Sequence, residues 1–166
     1  MVTTRSILAL ALVCLIPASA GAQVHEDRRL AVDVSAGYAA FLDESPIAHA
    51  TAGGAVRWRL WPRFSVGPEI TFMKGPGGDR DLFLTGKAVI DFMPRRRASP
   101  YFVADGGLML HRDDFFHTAA FWAREGAVSF GLGARVRVTP RLSLAPEVRV
   151  GWEPHVRIGG VLTWNK

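Results

Sequence analysis

Cysteine is almost missing from this chain of 166 residues: the one present, Cys14, lies within the apolar run ILALALVCLIP at 7–17. A fold with no cysteine pair has no disulfide framework and no thiol chemistry. Long apolar runs are missing too. The 7–17 run falls short of the roughly 20 residues a spanning helix needs. With Arg5 before it and ASAGA after it, the stretch 1–22 reads as a secretory signal peptide, cut after Ala20-Gly21-Ala22. Ala18 and Ala20 form a second cleavage pair, and ALVC lacks the small residues that precede a lipoprotein cysteine. The remaining 23–166 is enough for one domain. Charge of one sign is scarce: without Arg5 there are 19 basic and 15 acidic residues, a formal charge of +4. Spread along the chain, that excess gives no footprint for nucleic acid. The one local cluster, RRR at 95–97, reads as a charged turn. Helical periodicity is absent after residue 22.

What is there is alternation. In RVTPRLSLAPEVRV (137–150), Arg137, Arg141, Ser143, Ala145, Glu147 and Arg149 share one side of an extended chain. Val138, Leu142, Leu144, Pro146, Val148 and Val150 share the other. The same pattern predicts eight strands, at 30–41, 50–60, 63–73, 81–93, 100–110, 125–138, 141–151 and 154–164. Paired glycines at 53–54 and 106–107, and Gly131 with Gly133, fit curved or crowded strands better than helices. Each strand opposes a bulky apolar face to a face of small residues and charges. Phe83 and Val89 interrupt the polar face of the fourth.

A lipid-facing wall accounts for the bulky face, and a narrow shared interior for the small residues. The strand lengths match the 9–11 residues or so of a tilted membrane strand. In hydrocarbon an open sheet edge would strand a row of backbone groups, so the expectation is an eight-stranded antiparallel closed transmembrane β-barrel. An even strand number puts both termini at one end, expected to be periplasmic. Short turns then fall at 61–62, 94–99 and 139–140. The external connections are DESPIAHA (43–50), KGPGGDR (74–80), HRDDFFHTAAFWAR (111–124) and WEP (152–154), with the longest outside as such barrels require. Trp58, Trp61, Trp152 and Trp164, with Phe64, Phe72, Phe92 and Tyr101, lie near strand ends, where a membrane interface places aromatic rings.

RWRLWPRFSVGPEITF (57–72) and RVRVTPRLSLAPEVRV (135–150) align without a gap, one hairpin used twice. Glu69 and Glu147 correspond, and both are expected to meet arginines of their own hairpins inside. The predicted lumen charges are Asp33, Arg57, Arg59, Glu69, Lys87, Asp91, Asp105, Arg135, Arg137, Glu147, Arg149 and Arg157. An unpaired charge in a dry lumen is costly, and an eight-stranded interior is just filled by side chains, so a plugged lumen is expected. Pro68 and Pro146 each remove a ladder donor, which predicts a bulge or a nearby strand end.

The signal peptide, the eight amphipathic strands, PRFSVGPEITF, YFVADGGLML (101–110), SFGLGARVRVTPRLSLAPEVRV (129–150) and the final GGVLTW (159–164) together resemble the small outer-membrane β-barrel family, similar to the membrane domain of OmpA-type proteins. The resemblance covers 29–164. It implies the outer membrane of a Gram-negative-type envelope as location, with lipid, lipopolysaccharide and the barrel-assembly machinery as partners. Members usually end on an aromatic residue that this machinery reads; here Asn165 and Lys166 follow Trp164. No peptidoglycan-binding domain follows, so no tether to the cell wall is expected.

The one constellation with chemical potential is the segment HRDDFFH, with His111, Asp113, Asp114 and His117, whose residue types suit a metal or a general base. Outer-membrane barrel enzymes that modify lipid A act from such a rim, which keeps a lipid A-modifying enzyme as an alternative. The segment has no serine, however, and no catalytic set, metal site or cofactor is assigned. The apolar remainder, Phe115, Phe116 and AAFW with Trp122, suits contact with lipid or a surface ligand. A second alternative is a secreted lipocalin-like binding barrel, whose facing would be inverted. The reading adopted is a monomeric, non-enzymatic barrel with a structural or surface-interaction role, its ligand unknown.

Overall fold

The computed structural model describes residues 29–42, 47–113, 121–152 and 155–166. Eight strands follow one another: β1 (Leu30–Phe41), β2 (Ile47–Trp61), β3 (Phe64–Lys74), β4 (Arg80–Asp91), β5 (Ala98–Asp113), β6 (Phe121–Arg137), β7 (Leu142–Gly151) and β8 (His155–Asn165). Each pairs antiparallel with its sequence neighbours, and β8 closes on β1 from Ala31↔Asn165 to Phe41↔His155. The predicted signal peptide and the loop residues Asp114 and His117 lie outside the described residues.

The register fixes the shape. Stepping across paired residues from Leu30 through Trp58, Val66, Ala88, Ala104, Phe130, Val150 and Val156 returns to β1 at Ala40, a stagger of ten residues per circuit. For eight strands that stagger implies a strand tilt of roughly 40° and a radius of roughly 8 Å. Such a cylinder has room inside only for side chains.

Period-2 alternation then sorts every residue. Val34, Leu132, Val148, Ile158 and their neighbours stand on the outer surface, whereas Asp33, Lys87, Glu147 and Arg149 are buried inside. A ligand-binding barrel with an apolar calyx has the opposite facing, so the lipocalin-like alternative is overturned. Phe83 and Val89 do point inward with the charges. Phe83 joins Met73, Met109 and Ala127 in an apolar layer toward the end away from the termini. Val89 joins Val103, Ala145 and Val161 in a second layer, nearer the termini.

Several sequence expectations are corrected. The strands flanking the third long connection run further than predicted: His111 pairs with Ala123, Arg112 with Trp122 and Asp113 with Phe121, because a paired ladder continues wherever both chains stay extended. Likewise β2 begins at Ile47, so IAHA belongs to the wall. Tyr101 is not an interface aromatic. It is buried in the lumen, opposite Gly133, whose missing side chain leaves space for its ring. Neither hairpin proline causes a shift in register. The β2–β3 ladder holds from Ala55↔Glu69 to Trp58↔Val66 with the pairs between them lost, and the β6–β7 ladder does the same between Gly133↔Glu147 and Val136↔Leu144. The one shift in β2–β3 lies instead between Arg59 and Trp61, beside the turn.

Candidate functional site

The middle of the lumen is a closed electrostatic network. Asp33 from β1 receives the Arg57 guanidinium side-on, Nε at 2.7 Å and Nη2 at 2.9 Å, as well as the Thr163 hydroxyl at 2.8 Å. Lys87 from β4 bridges Asp33 at 3.1 Å and Glu69 at 3.0 Å. Glu69 in turn accepts from Arg149 of β7, across the lumen, at 2.6 Å and 3.0 Å. The same guanidinium donates to Asp105 at 2.7 Å and to Glu147 at 2.7 Å. Ser129 donates to Asp105, and Tyr101 to Glu147 at 2.7 Å. Arg157 lies 4.0 Å from Asp105. Four carboxylates thus face the cations Arg57, Lys87, Arg149 and Arg157. The balance of sign is what permits burial, since an uncompensated charge there would lose its hydration for nothing.

A second group lies at the end carrying the termini. Arg135 binds Asp91 and stacks its guanidinium 4.7 Å from the Tyr101 ring centroid. Arg137 donates to the Pro94 carbonyl at 3.2 Å, and Arg59 lines the same small cavity as Asp91 and Arg137. All twelve residues read as lumen charges therefore lie on inward-facing positions. The expectation that each hairpin glutamate meets its own hairpin's arginines fails for Glu69, whose partners are Lys87 and Arg149, because Arg57 is drawn to Asp33 on the neighbouring strand.

Among the rim candidates, His111 lies on β5 and its Nδ1 is 2.6 Å from Asp81 Oδ1. Asp113 and Trp122 lie on β5 and β6, the latter opposite Arg112. Trp58, Trp61 and Trp164 are exposed near the termini end and Trp152 near the other, so indoles mark both ends of the wall. Sequence reading missed His49, Asp79, Asp81 and His155 at the rim away from the termini. By alternation Asp81 shares the face of Lys87 and Asp91 in the fourth predicted strand, but alternation gives it no partner. His49 and Asp79 were assigned to separate connections, and only the extension of β2 to Ile47 brings them together.

No family model and no curated protein matches the chain in sequence. Solved structures do. The crystal structure of Neisserial surface protein A aligns over 82% of this chain and 97% of its own, at a TM-score of 0.74 with 13% identity. The N-terminal β-barrel domain of Pseudomonas aeruginosa OprF aligns over 82% and 97%, at 0.63 with 11% identity. A de novo designed transmembrane β-barrel covers 86% and 98%, at 0.52 with 17% identity. These likenesses define a class, the small closed eight-stranded barrel. At such identities they speak for the fold alone.

Proposed function

We propose that this protein is a small outer-membrane barrel that presents its loops at the cell surface from a plugged, non-catalytic scaffold. The observation that carries the reading is the facing: a continuous apolar outer surface closed around a charge-balanced interior. Monomeric soluble proteins rarely expose apolar patches beyond several hundred Å², whereas a barrel in lipid requires such a band, flanked by aromatic rings at both interfaces. The termini are read as periplasmic, which sends the connections at 43–46, 75–79, 114–120 and 153–154 outward. Lipid and lipopolysaccharide then contact the wall, and the barrel-assembly machinery inserts it. We read the barrel as a monomer, since full closure leaves no strand edge to pair.

The lumen argues against a conducting role. Two lumen cavities of about 30 Å³ and 20 Å³ have room for little more than a water molecule each. Recognition falls to the loops, which a rigid wall positions. The test is gel migration of the detergent-folded chain with and without heating, together with indole quenching in vesicles by lipids brominated at graded depths. A heat-modifiable band with quenched tryptophans is the expected result. A water-soluble chain with unquenched indoles would overturn the reading.

A further inference from the structure

The rim away from the termini contains a cluster that the central network does not use. His49 enters it from β2, almost fully buried. Its Nδ1 is 3.1 Å from the Ile47 carbonyl oxygen. A carbonyl can only accept, so Nδ1 carries the proton, and the ring in its neutral form would present its lone pair at Nε2. That nitrogen lies 2.7 Å from Asp79 Oδ2 and 3.6 Å from Asp81 Oδ2. Three electron-pair donors converge on one point. A lone pair aimed at two carboxylates is repulsive unless positive charge lies among them, and either a proton on Nε2 or a metal cation supplies it.

Four features favour the cation. The two separations from Nε2, 2.7 Å and 3.6 Å, lie on either side of the edge of a zinc tetrahedron, about 3.3 Å for metal–ligand bonds of roughly 2.0–2.1 Å, and His49, Asp79 and Asp81 offer ligand atoms that all lie within 4.8 Å of one another. The histidine is anchored through its other nitrogen to a backbone carbonyl, the usual support for a metal-binding imidazole. Asp79 Oδ1 is buried and has no hydrogen-bond partner among the described residues, its neighbour being His111 Nδ1 at 4.0 Å, so that carboxylate is not held by hydrogen bonds from the protein at this oxygen. Lastly, the β3–β4 turn places Gly75 over the donors. A Cβ there would lie 2.5 Å from Asp79 Oδ2 and 2.6 Å from His49 Nε2, so only glycine leaves that space open. The turn is fixed by the Gly75 amide donating to the Asp79 carbonyl at 3.0 Å and by Gly77 at φ 63°.

We propose that His49 Nε2, Asp79 Oδ2 and Asp81 Oδ2 form a three-ligand site for a first-row divalent transition-metal ion of the zinc type. His111 holds Asp81 through its other oxygen and is a positioning residue. Three protein ligands leave a fourth position for water or a small external donor. A nitrogen among so few ligands disfavours calcium and magnesium, which take six or more oxygens. Bound metal would clasp the β3–β4 turn to the start of β2.

The test is calorimetric titration of zinc chloride into the tag-free chain folded in zwitterionic detergent, with each variant's folding verified by gel mobility. Cobalt(II) absorption reports the geometry. The expected result is one bound ion, an intense tetrahedral cobalt spectrum and no competition from magnesium. His49→Gln and Asp81→Asn should weaken zinc binding by more than about tenfold, and His111→Ala by about tenfold, the scale of a lost supporting contact. Gly75→Ala, which keeps every donor, should also weaken it and covers the case of a donor variant that fails to fold. Equal zinc binding by wild type and His49→Gln, or no binding by wild type, would overturn the proposal and leave an imidazolium–carboxylate clasp.

Discussion

Arg149 shows how much one residue can organise. Its guanidinium is 1% exposed and contacts Glu69, Asp105 and Glu147, which come from three strands. The rigid fork satisfies all three at once, which a lysine ammonium on a flexible stem cannot do in the same geometry. Arg149→Met would leave three buried carboxylates short of one cation. The expected loss is about 3–5 kcal/mol of unfolding free energy, the scale for breaking a buried pair by removing one partner. Urea titration of the barrel in lipid vesicles measures it, and adding Glu69→Gln to Arg149→Met should recover part of the loss. Alternation alone identified Arg149 as a lumen residue. Its partnership with Glu69, 80 positions away, was not legible, because closure brings β3 and β7 face to face across a lumen that no local pattern describes.

At the scale of elements, the repeated hairpin explains why proline is tolerated in a closed wall. Pro68 and Pro146 occupy equivalent positions, each within a short gap in the ladder, and on the other side each pairs with a glycine, Gly86 and Gly160. The missing donor costs one local stretch of pairing and leaves the register intact. The seam where β8 meets β1 solves a different problem. Gly37 pairs with Gly159 there, and a Cβ on Gly159 would come within 2.5 Å of the Ala36 carbonyl oxygen. Gly159→Val should therefore impair closure and reduce the heat-modifiable fraction on gels, whereas Gly160→Val next to it, which meets nothing within 4 Å, should fold normally. The existence, number and facing of the strands were legible because the apolar outer face and the charged, crowded lumen impose opposite demands on adjacent residues. Their ends toward the rim were not: residues 47–50, 111–113 and 121–124 lose the apolar alternation, yet the first two stretches and 121–124 remain paired. The rim cluster was hidden for the same reason, since His49 and Asp79 meet only when those extensions form.

For the whole molecule, what distinguishes a membrane barrel from a soluble one is the solvent that its outer surface requires. That requirement has a depth profile. Leu132 is 62% exposed on the outer wall, flanked by Phe102 and Val148 in mid-barrel, whereas Val138, 59% exposed, lies just past the end of β6. In water the two positions are equivalent and an arginine at either would be harmless, as surface substitutions usually are. In a bilayer an arginine at mid-wall costs about 2–4 kcal/mol and one near the interface about 0–1 kcal/mol. Leu132→Arg should thus destabilise the vesicle-inserted barrel by several-fold more free energy than Val138→Arg, as measured by denaturant titration in lipid. The charged network inside is untouched by either change, so a difference between the two reads only the medium outside. Equal effects at the two depths would mean that the wall does not face lipid and would remove the main support for the outer-membrane reading.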